Sequence, residues 1–381
     1  MRRVEQALDR LLDRGVLPLL PNYVRRLYMD GGRLPISRRP GDTYVPRARM
    51  WRPERWIGST VSAMNPHPIS DEGISRIDAP GGPIKLTAAL QMRGRDILGP
   101  PAFAAYGPDF PILIKILDPA QTIGFHFHAR DEDVWAHPAR FGGQRFGKDE
   151  AYYFLDAPKG PIPYTHVGLF PGTTRRVLAE AIAAGGGRVL ELSPVIHQRI
   201  GEGFFVPAGI PHRPGTALTL EVQEPSDVYT MLERESGGRE LTPGEMHPGF
   251  ASVDQSLAFV DYAAATDPGL LRRCYLRPEP VRGRTSRRGR EEWIFPLRLG
   301  KFSGKRLVVQ TRLESVAGGP YVALVWRGRG RVNGMRVSTG SEFLVTARVA
   351  TRPHLYEAEG GRLEVFLFFP PAPEHFRRTP S

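Results

Sequence analysis

Two histidines one residue apart, His126 and His128, lie in the run TIGFHFHARDE, and a third, His212, ends the turn VPAGIPH. Side chains two apart on a strand point the same way. Alternation therefore puts Phe125 and Phe127 on one face and both imidazoles on the other, which is how a β-scaffold presents two nitrogen ligands to one metal ion. Pro207, Gly209 and Pro211 bring the chain round tightly, so that the imidazole at the start of the next strand can point back toward the first pair. A lone histidine is more often a satisfied core or surface residue, and the paired arrangement is what turns the reading toward a metal.

The spacing Gly201, Pro207, Gly209, His212 resembles the second signature of the cupin superfamily, and the pair His126 and His128 resembles the first. In cupins a downstream Glu completes a mixed His and carboxylate site, and such N/O ligation suits Zn, Mn, Fe or Ni. Glu132 follows His128 at short spacing but lies in the loop-like RDEDVW. Glu150 opens the apolar run EAYYFLD, where a strand fixes its direction, and it is the preferred carboxylate.

A narrower resemblance spans roughly residues 50–370. FPILIKILDPAQTIGFHFHARDE, then FGKDEAYYFLDAP, FFVPAGIPHRPG and LEVQEPSD are similar, in order and spacing, to the type I mannose-6-phosphate isomerase family. RWIGSTVSA, LTAALQMRGRDILG and VDQSLAFVDY agree more weakly. The resemblance implies one divalent metal, zinc first with Mn, Fe or Ni also suited, on His126, His128, Glu150 and His212. It implies an aldose-ketose isomerase working through an enediol on mannose 6-phosphate or a related sugar. Two positions depart from the family: His126 stands where it has Gln, and Met231 where it has a functional Arg, with Arg234 nearby. The first departure favours a cupin oxygenase or oxidoreductase as the alternative; the second favours a non-catalytic carbohydrate-binding bicupin.

Enediolate chemistry needs a base, a group to stabilise the developing oxyanion, and exclusion of water. Lys115, inside the apolar FPILIKILD, and Lys148, two residues before Glu150, each resemble a family active-site lysine and are the expected catalytic cations. Arg213, directly after His212, and Arg234 are the expected substrate-binding cations.

These residues require a scaffold of short strands. VLELSPVIHQRI, EGFFVPAG, ALTLEVQE, KRLVVQTRLE, YVALVWRG, SEFLVTARV and RLEVFLFF are separated by turn residues, the pattern of a sandwich or barrel. Gly 42 and Pro 37 make about a fifth of the 381 residues, while 41% hydrophobic content is ample for a core. The fold class expected is mainly β: two cupin-like jelly-roll barrels with a few helices. The helices are an amphipathic MRRVEQALDRLLDRG with Val4, Leu8, Leu11 and Leu12 on one face, one around Leu86 to Leu98, and one over RRVLAEAIAA capped by Thr173 or Thr174. Ser252 with Gln255 marks a capping box.

Residues 1–50 read as a helix and a Pro/Arg-rich extension, 51–250 as the metal-binding cupin domain, and 251–381 as a metal-free cupin-like domain. In that last part Thr346 and Ala347 occupy the hairpin where a metal-binding copy would have Pro, and His354 and His375 are expected at the surface. The formal charge of +12 is spread over loop arginines without zinc-finger or RNP-like patterns, so neither nucleic acid nor a membrane is an expected partner. The single Cys274 excludes an intramolecular disulfide and fits a reducing, cytoplasmic setting. A monomer or homodimer acting on a sugar or sugar phosphate is the expectation.

Overall fold

The computed structural model describes residues 2–34, 51–65, 67–160, 162–236 and 238–376. The side chain of His375 lies outside what is described, as does the Pro/Arg-rich stretch 35–50. Four antiparallel sheets stack as layers, in the order five, seven, nine and four strands. The five-stranded sheet runs 195–197, 164–167, 212–213, 126–127, 230–231, and the seven-stranded sheet 275–276, 203–206, 150–156, 218–223, 113–117, 51–57, 23–26. The nine-stranded sheet is built mainly from the second half of the chain, but its edge is made by Val16–Leu20, Arg76–Ile77 and Ile84–Lys85. The fold is mainly β, as expected, with sheets that pack face to face and, among the described residues, none that closes on itself.

Layering explains why the strands read as continuous apolar runs: both faces of the two middle sheets are covered. In Leu363–Phe369, Phe366 and Phe368 face the seven-stranded sheet, while Val365 and Leu367 face the four-stranded one. In Glu150–Asp156, Ala151, Tyr153 and Leu155 enter the central core, and Tyr152 and Phe154 enter the core beneath the five-stranded sheet. Glu150 has the parity of Tyr152 and Phe154, so it faces the five-stranded sheet. The same alternation sends Ile114, Ile116, Leu220 and Val222 to the central core and leaves Lys115 and Glu221 on the opposite face.

The amino-terminal segment belongs to this central seam. Helix Arg2–Arg14 buries Ala7, Leu8, Leu11 and Leu12, although Val4, one turn from its start, is 42% exposed. Val16–Leu20 then pairs with Glu342–Val345, and Tyr23–Arg26 pairs with Trp51–Ile57. The first 34 residues therefore supply strands to both middle sheets. A buried ion pair between Arg55 and Glu342 crosses the same seam, and the Arg55 guanidinium also donates to the Gly340 carbonyl at 2.6 Å. The helices Leu86–Leu98 and Arg175–Ala184 form where expected, the latter with Thr174 as the residue whose hydroxyl accepts from Val177 N–H.

In the second half, His354 corrects the surface expectation. It is 2% exposed, and its ring lies between the Tyr321 hydroxyl at 2.5 Å and the Val349 carbonyl at 3.0 Å. Its strand, His354–Ala358, packs across the nine-stranded sheet, and its ring packs at 5.8 Å on the buried Tyr321 of that sheet.

Candidate metal centre and cleft

Register across the five-stranded sheet sets His212 opposite His126, and His126 opposite Met231. His128 lies just past its strand's end and completes the group, with ring centroids 4.2 Å (His126 to His212), 4.8 Å (His126 to His128) and 5.0 Å (His128 to His212) apart. The facing sheet contributes Glu150. One ligand atom from each of His126, His128, Glu150 and His212 lies within 4.8 Å of every other, and all four residues are buried.

Two glycines explain how the loops reach this point. Gly209 has φ +83°, a conformation L side chains rarely adopt, and its N–H donates to the His128 carbonyl at 2.7 Å, tying the turn before His212 to the first histidine pair. Gly147 lies so close to residues 129–131 that a Cβ would sit 2.6 Å from the Ala129 oxygen and the Asp131 nitrogen; it donates to Asp131 Oδ1 at 2.8 Å. That close crossing brings Lys148 and Glu150 beneath His128.

Each imidazole is held by its Nδ1: His126 to the Gly124 carbonyl at 2.6 Å, His128 to Val228 at 2.7 Å and His212 to Ile210 at 2.9 Å. A carbonyl only accepts, so Nδ1 carries the proton in each ring and Nε2 of the neutral ring is a lone-pair donor aimed inward. Burial, followed by the neighbouring charged groups, holds His126 well below its usual range; burial, with Lys148 next, takes His128 down to about 3. Glu150 is held well below the carboxylate range: burial opposes ionisation, but Lys148, His128 and His212 outweigh it. Neutral rings at His126 and His128 beside an ionised Glu150 are the protonation states metal ligation requires.

The inner contacts are His212 Nε2 to Glu150 Oε1 at 2.7 Å and His128 Nε2 to Glu150 Oε2 at 3.2 Å, and the Tyr152 hydroxyl also donates to Oε1. Despite these close neighbours, Glu150 Oε2 and His212 Nε2 have no well-formed hydrogen bond, although both are buried. Buried polar atoms in that condition are uncommon, and a cation among the four donors satisfies them. The set fits a divalent metal. Glu132, the rejected carboxylate, is exposed and lies against Arg130 at 3.7 Å.

A cleft opens beside the four ligands and is lined by His126, His128, Lys115, Lys148, Tyr152 and Met231 among others. A cross-strand row on the seven-stranded sheet, Lys115, Glu221, Tyr152, runs along its floor, with the fully buried Trp56 opposite Lys115 on the next strand. Lys115 is 3% exposed, 3.3 Å from Glu221, 3.5 Å from Asp227 and 4.0 Å from Glu54, with its ammonium 4.9 Å from the Trp56 ring centre. Burial would lower its pKa, but the carboxylates of Glu221, Glu54 and Asp227 outweigh burial and raise it. Lys148 Nζ lies 2.8 Å from Glu150 Oε2 and 2.9 Å from His128 Nε2.

Arg213 and Arg234 are not brought to this cleft. Arg213 pairs with Glu233 at 2.8 Å, and the exposed Arg234 pairs with Glu240 at 2.5 Å beside the helix 175–184. The arginine that does line it is Arg26, from the segment expected to be an extension. It bonds Glu54 at 2.9 Å and both oxygens of Asp227 at 2.8 and 2.9 Å. Sequence reasoning missed Arg26, Glu54, Glu221 and Asp227. Glu221 carried a usable signal, as the one acidic residue inside ALTLEVQ; Arg26, in a stretch rich in arginine, carried none.

A second set of charges braces the ligands from the other half of the chain. Asp149 accepts from Ala208 N–H at 2.7 Å and donates its own N–H to Glu224 at 2.9 Å. Lys301 then bridges Glu224, at 2.6 Å, to Asp131.

No family model matches the chain. Mannose-6-phosphate isomerase ManA of Bacillus subtilis (strain 168) is 32% identical over 144 residues, which is 37% of this chain; the match spans 42% of that relative's length. Solved structures agree over nearly the whole length. Mannose 6-phosphate isomerase from Bacillus subtilis superposes with a TM-score of 0.66 at 17% identity, covering 93% of this chain and 99% of its own. A phosphomannose isomerase variant from Salmonella typhimurium gives 0.63 at 15%, covering 94% and 100%. A zinc-bound mannose 6-phosphate isomerase gives 0.63 at 15%, again covering 94% and 100%. The chain shares the fold of these solved structures.

Proposed function

We propose that this relative of the type I mannose-6-phosphate isomerases is a metal-dependent aldose-ketose isomerase, acting on mannose 6-phosphate or a related sugar. One observation carries the reading: three imidazoles with Nδ1 locked on carbonyls converge with Glu150 at the end of a cleft that two buried lysines line. His126, His128, Glu150 and His212 would hold the ion. Zinc is its expected identity, as in the zinc-bound structural neighbour, and once bound it would supply Lewis acidity toward substrate oxygens.

The chain's own groups do the rest. Glu221, on the cleft floor opposite Tyr152 and pushed up to about 7 chiefly by burial, takes the proton from C2 and returns it at C1. Lys148, beside the ligand atoms, donates to the oxygens at C1 and C2 as negative charge develops on them. Lys115 holds a substrate hydroxyl further along the floor, fixed by its carboxylates and by Trp56. Tyr152 keeps Glu150 oriented. The apolar wall formed by Leu27, Ile123 and Met231 limits water around the enediolate. Among the described residues no helix is long and apolar enough to cross a membrane, and a cytoplasmic setting is part of the proposal.

The test is metal analysis of the purified protein together with an aldose-ketose interconversion assay on free and phosphorylated sugars. One tightly held zinc and turnover are expected; a full metal complement without turnover on any of them overturns the reading. The third imidazole, His126, favours one alternative, a redox cupin; iron or manganese as purified, with oxygen uptake on a substrate, would establish it in place of the isomerase.

A further inference from the structure

We propose that the substrate of this cleft is a neutral aldose without a phosphate group. The inference rests on the isomerase reading and narrows it. Each cation that lines the cleft among the described residues is already matched by a buried carboxylate. Arg26 is bound by Glu54 and, through two oxygens, by Asp227; Lys115 is surrounded by Glu221, Asp227 and Glu54; Lys148 faces Glu150. Glu54, Glu221 and Asp227 are at most 5% exposed, so solvent does little to screen them. Glu245 adds one more carboxylate to the lining, held by Arg239 at 2.5 Å.

A phosphate ester carries close to two negative charges at neutral pH and is met in binding sites by arginine, lysine and N–H donors free to reach its oxygens. Here the guanidinium of Arg26 and the ammonium of Lys115 are committed to carboxylates that would repel the ester. A divalent ion on the four ligands would compete for Glu150 Oε2 and His128 Nε2 and so release Lys148, but Lys148 stands at the metal end. That is where C1 and C2 react, at the opposite end of the sugar from an ester on C6. The two arginines expected to recognise an anion, Arg213 and Arg234, pair with Glu233 and Glu240 and lie outside the lining, while the thioether of Met231 lies within it.

What the cleft offers matches a polyhydroxylated neutral molecule. Carboxylate oxygens of Glu221, Asp227 and Glu54 accept from hydroxyl groups, Lys115 donates to them, and Ile123, Tyr229 and Met231 provide apolar surface for C–H faces. Glu221 Oε2 is buried with the Lys115 ammonium 3.3 Å away but no well-formed hydrogen bond, and a substrate hydroxyl would supply one.

The experiment uses the full-length, metal-loaded protein and a panel of free aldohexoses and aldopentoses alongside the hexose 6-phosphates, following deuterium incorporation at C2 from D2O and ketose formation. The best free sugar is expected to exceed its 6-phosphate in kcat/KM by about tenfold or more, with inorganic phosphate a poor inhibitor. Preference for the 6-phosphate overturns the neutral-substrate inference and leaves the isomerase reading standing; turnover on neither removes both. Asp227→Asn supplies a second arm. It frees Arg26 and Lys115 from one carboxylate and is expected to shift the 6-phosphate to free-sugar ratio toward the ester by roughly fivefold. An unchanged ratio in the folded variant means that the carboxylates do not set the preference and overturns the argument built on them.

Discussion

The ammonium of Lys148, two residues before the strand Glu150–Asp156, lies 2.8 Å from the carboxylate of Glu150, and it also reaches His128 Nε2 at 2.9 Å. The lysine thus sits on two of the atoms that a metal needs. Cation and metal repel and share donors, so Lys148→Met is expected to bind zinc at least as tightly as the parent, by competition titration. Its isomerisation rate should fall by roughly 10² to 10⁴, because the donor that meets the developing oxyanion is gone. If zinc affinity dropped instead, Lys148 would be a support of the ligand set.

The four-donor assignment separates by residue. His212→Ala and Glu150→Gln should each purify with less than about a tenth of the parent's metal under the same dialysis, since each removes a ligand atom from a buried set. Glu132→Gln should retain a full complement, because that side chain is exposed against Arg130. Metal retained by Glu150→Gln and lost from Glu132→Gln would reverse the choice of carboxylate.

The seam between the middle sheets predicts how the molecule unfolds. Leu8, from the first helix, and Leu344, in the strand paired with residues 16–19, are both fully buried in the same core cluster. Truncation to Ala at either position is expected to lower stability by about 2–5 kcal/mol. Because the cluster joins both halves, denaturation followed by fluorescence and by circular dichroism should remain one coincident transition. A negligible effect of Leu8→Ala would return the amino-terminal helix to the status of an appendage.

The legibility of this molecule in its sequence followed the range of the interactions. His126, His128 and His212 were readable because period-2 alternation and a Pro-x-Gly turn are local signals, and Glu150 because the strand it opens is unmistakably apolar. Parity within that strand then does what the sequence implied, turning Glu150 toward the histidines. Arg26 and Asp227 meet across 201 positions of sequence, and nothing local to either residue announces the pair. Arg213 and Arg234 stand close in sequence to His212 and Met231, but in the fold they turn to Glu233 and Glu240. Val16–Leu20 reads as an apolar fragment beside a Pro-rich stretch, and only its pairing with Glu342–Val345 shows that it completes a sheet made from the other end of the chain.

Away from the metal ligands, His247 provides a pH-dependent element. It is 2% exposed, its Nδ1 lies 2.7 Å from the Ser256 hydroxyl, and burial lowers its pKa to about 4 against an ordinary value of 6.5. A depressed histidine binds its proton more weakly folded than unfolded, so between pH 6.5 and 4 the unfolded chain carries the extra proton. Stability contributed by the neutral ring is therefore fully present above pH 6.5 and is lost as pH falls toward 4, by on the order of 2 kcal/mol at pH 4.5. His247→Asn keeps a hydrogen-bonding group near Ser256 and cannot titrate. Chemical denaturation at pH 7.5 and 4.5 should show the parent losing more stability than the variant over that interval, by roughly the same 2 kcal/mol. Equal losses would mean that the ring is protonated in the fold at its ordinary pKa, against the consequence drawn from its burial.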